Sequence, residues 1–222
     1  MDHSASASSL PLPATVKVIN HPLMASKMSL LRDRRIKPKQ FRELVNEVSL
    51  ILAIECTSSL DLMETKTLES PMGRFQGVKL ADKIAIFPIL RAGLGMVHGF
   101  LTMLPAARVH HLGLYREKTT LLPVEYYNKL PLSCNVDLGI VVDPMLATAG
   151  SAIAAVNMLK DWGLKRIKLC CICASSAGVS NFRESHPDVD LYVGVVDEEL
   201  SDHGYILPGL GDAGDRLYKT FF

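Results

Sequence analysis

The sequence has no excess of charge of either sign. Its 222 residues carry 24 lysines and arginines against 23 aspartates and glutamates, which leaves a net charge of +1. Proteins that bind nucleic acid usually show a basic excess or a basic stripe, so a nucleic-acid partner is not expected. Any binding of phosphate must therefore depend on local structure.

Paired cysteines are lacking as well. The five cysteines are an odd number and none has the paired spacing of a zinc site. Cys170, Cys171 and Cys173 lie in an apolar segment typical of a buried strand, where adjacent side chains point to opposite faces. Buried free thiols are favoured over a metal site, and the expected compartment is reducing, most simply the cytoplasm.

Long apolar runs are also absent. The longest stretches without a charged residue, 92–107 and 144–159, fall short of the ~20 apolar residues that cross a bilayer, so no membrane association is expected. Residues 1–14 are small and polar, with neither the basic nor the apolar region of a secretory signal. They are predicted to form a disordered tail, and 15–222 a single domain.

Strand-like and helix-like segments alternate along the chain. Arg32–Arg35 is interpreted as a solvated charged turn. Buried strands are predicted at 83–89, 108–115, 138–143, 166–174 and 191–196, and a short strand at 16–18. An extended strand is predicted at 63–77 with a turn at 71–73, and helices at 38–57, 95–104, 150–162 and 178–185. This alternation predicts an α/β fold, a doubly wound and mainly parallel sheet flanked by helices.

Polar residues follow the ends of several predicted strands. Arg91 and Gly93 follow the first buried strand, Arg116 the second, Asp143 the third and Asp197 the last. Ligands of open α/β sheets bind beyond the carboxyl ends of the strands. The pattern therefore predicts a site for a ligand that bears phosphate at more than one position.

Residues 139–156, GIVVDPMLATAGSAIAAV, combine a strand, one carboxylate, a small-residue loop and a helix. Such a loop places an anion at a helix N-terminus, where free N–H groups and the helix dipole favour negative charge. Thr148 and Ser151 add hydroxyl groups, and Ala149 and Gly150 allow close approach of the backbone. From these residues alone, an ordinary strand-to-helix turn is an equal alternative.

Two further segments have two interpretations each. Residues 204–216 are rich in glycine, which predicts irregular backbone that reads a polar heterocycle, or simply a structured C-terminal loop. Residues 116–130 are interpreted as an active-site lid or as a β-excursion at the sheet edge. His186 and His203 are expected to be packing or surface residues. His110 and His111, placed in one strand, should face opposite ways and bind no metal.

Seven collinear segments resemble the uracil phosphoribosyltransferase family, which belongs to the type I phosphoribosyltransferases. The resemblance covers nearly the whole chain, and its last segment is the most specific. The segments are HPLMASKMSLLRD (21–33), FRELVNEVSLILA (41–53), PILRAGLGM (88–96), EYYNKLP (125–131), VVDPMLATAGSAIAA (141–155), HPDVDLY (186–192) and HGYILPGLGDAGDRL (203–217).

The resemblance implies transfer of the phosphoribosyl group of 5-phospho-α-D-ribose 1-diphosphate (PRPP) to uracil, which gives UMP and diphosphate in pyrimidine salvage. It also implies the type I fold with a C-terminal base-recognition loop and a β-rich lid excursion. Mg²⁺ is expected to arrive with PRPP and not to be held directly by the protein. GTP, an effector of some relatives, is a candidate effector here. A homodimer or higher homo-oligomer is expected, with the helices at 38–57 and 95–104 as candidate contacts.

The site residues implied by the resemblance fall into three groups. The catalytic group is Arg91, Arg116, Asp143 and Asp212. The PRPP-binding group is Arg91, Ala92, Gly93, Arg116, Asp143, Pro144, Met145, Leu146, Ala147, Thr148, Ala149, Gly150, Ser151 and Asp212. The uracil-binding group is Tyr205, Ile206, Gly211, Asp212 and Ala213.

The chain departs from the family pattern at several positions. Ala149 stands where a glycine is usual, Lys118 and Thr119 replace an acidic pair in the lid, and 174–178 read AlaSerSerAlaGly. These departures motivate a second hypothesis, a nucleotide-binding sensor or scaffold that has lost turnover. An enzyme specific for another base is a weaker alternative.

Overall fold

The chain folds around one mainly parallel sheet. The structure is a computed structural model that describes residues 15–116 and 123–220. Its strands are β1 (Val16–Val18), β2 (Leu62–Ser70), β3 (Gly73–Leu80), β4 (Ile84–Leu90), β5 (Arg108–Val109), β6 (Leu112–Arg116), β7 (Pro123–Asn128), β8 (Leu138–Val142), β9 (Met145–Leu146), β10 (Arg166–Ser175), β11 (Asp190–Asp197), β12 (Glu199–Leu200) and β13 (Ile206–Leu207). Its helices are α1 (Pro22–Arg32), α2 (Pro38–Thr57), α3 (Leu94–Met103), α4 (Gly150–Asp161), α5 (Ser176–Ser185) and α6 (Ala213–Tyr218).

The strand order of the sheet is β1-β11-β10-β8-β4-β6-β7, with β5 beside β4 and β9 beside β10. Neighbouring strands are parallel except β6 and β7, which run antiparallel. The predicted fold class is confirmed. Because β4, β8, β10 and β11 are parallel neighbours, the segments that follow them emerge at one edge of the sheet.

Helices cover both faces of the sheet. Helices α1, α2 and α3 pack with Ile140 and Val142 of β8 on one face, and α4 and α5 pack with Val141 on the other. This alternation follows from the pleat of a strand. Cys170 and Cys171 likewise belong to opposite faces, and all five cysteines are free, which confirms the prediction of buried structural thiols for the strand β10.

Helix α2 has the predicted bounds and buries the stripe Phe41, Val45, Val48 and Leu52. Each such side chain contributes about 1.5–3 kcal/mol when fully buried. Helix α3 approaches closely, since a Cβ added at Gly99 would lie 2.7 Å from the Ser49 Cβ. The apolar faces that suggested an oligomer contact are thus largely buried within the chain. The homo-oligomer itself stays a prediction.

The turn predicted at Arg32–Arg35 is wrong in part. Arg32 is the last residue of α1, a helix that the pattern analysis did not identify, and its side chain pairs with the buried Asp197. Asp33 and Arg35 do form an exposed pair at 2.8 Å. The hydrogen bonds from Arg35 hold the pKa of the Asp33 carboxyl at about 2.

Two other segments differ from their predictions, and two more predictions are confirmed. The strand expected at 108–115 is interrupted, with His110 and His111 between β5 and β6. Residues 204–216 are not wholly irregular, because they contain β13 and the start of α6. The extended segment 63–77 is confirmed and lies in a hairpin, β2 paired with β3, whose turn is at the predicted place between Ser70 and Gly73. His186 is buried against Phe182, which confirms its packing role.

Some predictions fall on residues whose structure is not described. Strand β7 pairs with β6, so residues 123–128 form the predicted β-excursion. The N-terminal tail 1–14 and the lid residues Lys118 and Thr119 lie outside the described residues, so those predictions stay untested. Across the described part of the chain, no helix has the length and apolar character that a membrane crossing needs.

Candidate active site

The segments that follow β4 and β8 meet because the two strands are neighbours, with Pro88 paired to Val142. A Cβ added at Gly93 would lie 2.5 Å from the Val142 carbonyl oxygen and 2.7 Å from the Ile89 carbonyl oxygen. Only glycine fits this contact without a shift of backbone. Gly93 therefore brings the Arg91 turn against the end of β8.

The loop between β8 and α4 is held from behind. Pro144 accepts hydrogen bonds from the backbone N–H groups of Ile172 and Cys173 at 3.2 and 2.9 Å. The Ser175 hydroxyl donates to the Ala147 carbonyl at 2.5 Å and accepts from the Gly178 N–H at 2.8 Å. The other side of the loop lines a cavity.

Ala149 is the N-cap of α4 and has a left-handed backbone, with φ 68° and ψ −5°. It gives no side-chain cap, so the first N–H groups of the twelve-residue helix α4 receive no hydrogen bond from it. Those groups and the helix dipole attract an anion. This geometry is what the anion-site interpretation of the loop expects. Binding of an anion there stays a prediction.

Asp143 lies at the mouth of this loop. Burial raises the pKa of its carboxyl to about 7, the negative charge of Asp212 adds to the increase, and a hydrogen bond from the Met145 N–H at 3.3 Å opposes it. The neutral acid is therefore more favoured for Asp143 than for an ordinary aspartate at the same pH. Asp143 and Asp212 come from different loops and line the same cavity.

The C-terminal glycine-rich segment forms the opposite wall. Strand β13 pairs with β12 and buries Ile206, while Gly209 and Gly211 take φ values of +51° and +69°. Asp212 caps α6 by accepting from the Asp215 N–H at 2.9 Å. The Asp212 side chain is fixed by this bond beside the cavity.

Both loops line one cavity of 290 Å³. The predicted residues that line it are Ala92, Asp143, Met145, Leu146, Ala147, Thr148, Ala149, Gly150, Ser151, Tyr205, Ile206, Gly211, Asp212 and Ala213. Ala152, Gly204 and Gly214 also line it. They lie within the two predicted motifs but were not among the named site residues. Their neighbours in both motifs were named, so extending each named set by one residue would have found them.

Four of the predicted site residues are not among the residues that line the cavity. Gly93 and Pro144 serve the packing of the loops. Arg91 lies beside the cavity, with its guanidinium 3.2 Å from Asp215 Oδ1 and 3.4 Å from the Thr220 hydroxyl. Arg116 ends β6, and its side chain lies outside the described part of the structure.

Asp215 and Thr220 were missed as partners of Arg91. The Thr220 hydroxyl donates to the same Asp215 oxygen at 2.5 Å, and the Tyr218 hydroxyl donates to the Arg91 carbonyl at 3.3 Å. These residues lie more than 120 positions from Arg91 in the sequence. No local pattern signals such a contact.

The fold and the cavity define the class of the protein. It is a doubly wound α/β protein in which the loop between β8 and α4 and the glycine-rich segment line one cavity at the carboxyl edge of the sheet. Proteins of this class carry out many different activities.

Comparison with known proteins narrows the class. Residues 18–220 match the sequence model of the family described as uracil phosphoribosyltransferase. The uracil phosphoribosyltransferase of Roseiflexus sp. is 51% identical over 93% of this chain and 99% of its own length. That of Dictyoglomus turgidum is 52% identical over 92% of this chain and 99% of its own. The chain belongs to the uracil phosphoribosyltransferase family.

A solved structure agrees with this fold. The AQ2163 protein from Aquifex aeolicus superimposes with a TM-score of 0.87 at 33% identity, covering 93% of this chain and 99% of that one.

Proposed function

We propose that this protein transfers the phosphoribosyl group of PRPP to uracil and releases UMP and diphosphate. The shared cavity carries the proposal, because one space lined by an anion loop and a glycine-rich loop suits a sugar phosphate beside a heterocycle. Family membership over residues 18–220 supports the same activity. No observation favours the sensor hypothesis, since Ala149 lines the open cavity without filling it.

The donor is assigned to the loop between β8 and α4. The N–H groups at the start of α4, with the Thr148 and Ser151 hydroxyls, suit the 5′-phosphate. Asp143, in its charged form, suits the ribose hydroxyls as a hydrogen-bond acceptor. The remaining loop residues, which resemblance assigns to PRPP, contribute backbone to the same wall of the cavity.

Diphosphate is assigned to Arg91, with Ala92 in the cavity wall and Arg116 as a second cation. Arg91 is held beside the cavity by Asp215 but its side chain is 54% exposed. An exposed ion pair is worth only about 0–1 kcal/mol. Arg91 can therefore exchange the carboxylate for a more highly charged diphosphate.

Mg²⁺ fits this site as a companion of the donor. Among the described residues, no three His, Cys, Asp or Glu side chains are clustered to hold an ion by themselves. Asp143 and Asp212 bring two carboxyls to one cavity, and hard cations prefer such oxygen ligands together with substrate phosphates. When bound, Mg²⁺ would neutralise charge on the diphosphate.

The reaction forms a bond between N1 of uracil and C1′ of the ribose while the C1′–oxygen bond to diphosphate breaks. The electron pair of the broken bond leaves with diphosphate, and the N1 proton passes to solvent. Positive charge develops on the ribose in the transition state. The protein contributes mainly orientation of the two substrates and stabilisation of the leaving diphosphate by Arg91 and Arg116.

Uracil is assigned to Tyr205, Ile206 and the backbone of Gly211, Asp212 and Ala213. Ile206 is buried and gives the ring an apolar contact, while backbone groups suit the polar ring edge. Such groups are fixed by the fold, so their pattern of donors and acceptors selects the base.

A homo-oligomer is proposed as well, with support from the hairpin β2–β3. The hairpin forms its own two-stranded sheet and exposes Leu62, Met63, Phe75 and Val78. Exposed apolar patches often mark protein contacts. Light scattering after gel filtration measures the state, and GTP, proposed from resemblance alone, is tested by adding it to the activity assay.

The activity is tested by measuring UMP formation from uracil and PRPP with Mg²⁺. The purified protein should form UMP, Asp143→Ala should reduce the rate strongly, and Asp188→Asn, which alters a surface ion pair with Lys160, should not. A folded wild-type protein that binds PRPP in calorimetry without forming UMP would support the sensor hypothesis instead.

A further inference from the structure

A largely buried ion pair joins two elements outside the cavity. Arg32, at the end of α1, donates to both oxygens of Asp197, at the end of β11, over 2.8 and 2.7 Å. The side chains are only 24% and 8% exposed. Burial alone raises the pKa of Asp197, but the hydrogen bond and charge of Arg32 outweigh burial and hold that pKa below its ordinary value.

The same pair binds both polar backbone groups of one residue in the glycine-rich segment. Arg32 Nη1 also donates to the Gly209 carbonyl at 3.1 Å, and the Gly209 N–H donates to Asp197 Oδ2 at 3.1 Å. Charge-assisted bonds of this kind are about twice as strong as neutral ones. Gly209 is therefore held at a fixed position relative to α1 and β11.

Gly209 cannot be replaced or moved freely. Its φ of +51° is in the left-handed region, and an added Cβ would overlap the Ile206 carbonyl oxygen. The next carbonyl along the chain, that of Leu210, accepts from Arg216 at 2.8 Å. Gly209 and Leu210 are not among the residues that line the cavity, whereas Ile206 before them and Gly211 after them are.

We propose that Arg32 and Asp197 are positioning residues for base recognition, which hold the loop from Ile206 to Ala213 at the spacing that uracil requires. This inference rests on the proposed function. The ion pair touches neither substrate and acts through Gly209 on the two segments that line the cavity. A loosened tether lets the donors and acceptors of the loop drift, which weakens uracil binding and leaves the donor loop unchanged.

The test compares substitutions of two cations on α1. Arg32→Met removes the pair, and Arg32→Lys keeps the charge but lacks the forked geometry that reaches Asp197 and Gly209 together. Lys27→Met is the matched control, because Lys27 anchors α1 to Glu47 of α2 at 2.6 Å without contacting the glycine-rich segment. The KM of each substrate and the kcat are measured for all three variants.

Arg32→Met should raise the uracil KM roughly tenfold or more, since a charged hydrogen bond is lost, and Arg32→Lys by several-fold. The KM for PRPP should change less than about twofold, and Lys27→Met should change neither constant. Equal effects on both substrates, or an unchanged uracil KM in Arg32→Lys, would overturn the inference. If Arg32→Met does not fold, Arg32→Lys decides the outcome. An inactive wild-type protein would overturn the proposed function and this inference with it.

Discussion

Ala149 has the least favourable backbone in the cavity wall, and replacing it tests that geometry directly. A left-handed conformation costs a residue with a Cβ about 1–2 kcal/mol, and Ala149 has φ 68°. Ala149→Gly removes this cost. It also loses about 0.4–1 kcal/mol through the greater freedom of the unfolded chain.

The substitution removes a buried methyl group as well. Ala149 is only 4% exposed and belongs to the core on the α4 side of the sheet, so the lost burial costs about 0.8 kcal/mol. These effects nearly cancel. We expect the free energy of unfolding of Ala149→Gly to lie within about 1 kcal/mol of the wild-type value.

Two further variants separate the contributions. Lys219 is also left-handed, with φ 55°, but it is exposed, so Lys219→Gly relieves strain without losing burial and should stabilise by about 0.5–1 kcal/mol. Ala149→Val adds a β-branched side chain to a left-handed, packed position and should destabilise by about 2 kcal/mol or more. Urea denaturation with unchanged m-values measures all three.

The donor KM gives an independent measure. Ala149→Gly should keep or lower the KM for PRPP, because glycine permits the same loop and a closer approach of backbone to phosphate. A wild-type stability for Ala149→Val would refute the left-handed geometry. Loss of activity in a folded Ala149→Gly variant would refute the assignment of this position to the phosphate loop.

Three other predictions concern the substrates and pH. Arg91→Ala or Arg116→Ala should raise the KM for PRPP or lower turnover, because each removes a charge-assisted contact to diphosphate worth about 1.5–3 kcal/mol. Unchanged donor kinetics in both variants would contradict the assignment of diphosphate to these arginines. Uracil and 5-fluorouracil should be substrates and cytosine essentially not. The ring edge of cytosine exchanges a donor and an acceptor relative to uracil and leaves buried partners unpaired, a penalty of up to about 10⁴ in kcat/KM. Comparable kcat/KM values for cytosine and uracil would contradict base reading by residues 204–214. Because the folded pKa of Asp143 is raised to about 7, its protonated form stabilises the fold below about pH 4 and that stability is lost as pH rises to 7, by up to about 4 kcal/mol. Asp143→Asn should remove this slope, and an unchanged slope in urea titrations would contradict the shift.

The buried strands were predictable because their sequences are locally decisive. β8 and β10 are apolar runs whose side chains point to both faces of a covered sheet. Short apolar runs of this kind are typical of the buried strands of a parallel sheet. The convergence of the two motifs followed from the same topology, since parallel neighbouring strands end at one edge.

The elements that were missed depend on distant partners or weak local signals. Helix α1 buries Met24, Met28 and Leu31 but exposes other leucines, so its apolar stripe is narrow and mixed. Helix α6 is short and was missed because the segment was interpreted from its glycines alone. Asp212, followed three residues later by Asp215, is a signal for the start of a helix. The partner of Arg32 is 165 residues away in the sequence. The local sequence therefore showed only a charged side chain, which was predicted to be solvated.

The two walls of the cavity are held in different ways, and this difference matches the chemistry proposed for each. The glycine-rich wall is tied by Arg32 and Arg216 to α1, with Gly209 and Leu210 bound through partly buried, charge-assisted contacts. A fixed pattern of donors and acceptors discriminates strongly between flat bases, because a mismatched edge cannot be relieved by movement. Arg91, in contrast, is half exposed and held by a weak ion pair, which suits a group that must release one anion to take up another. In the proposed reaction, the firmly held wall selects the base, while the exchangeable Arg91 follows the charge of the diphosphate as it leaves.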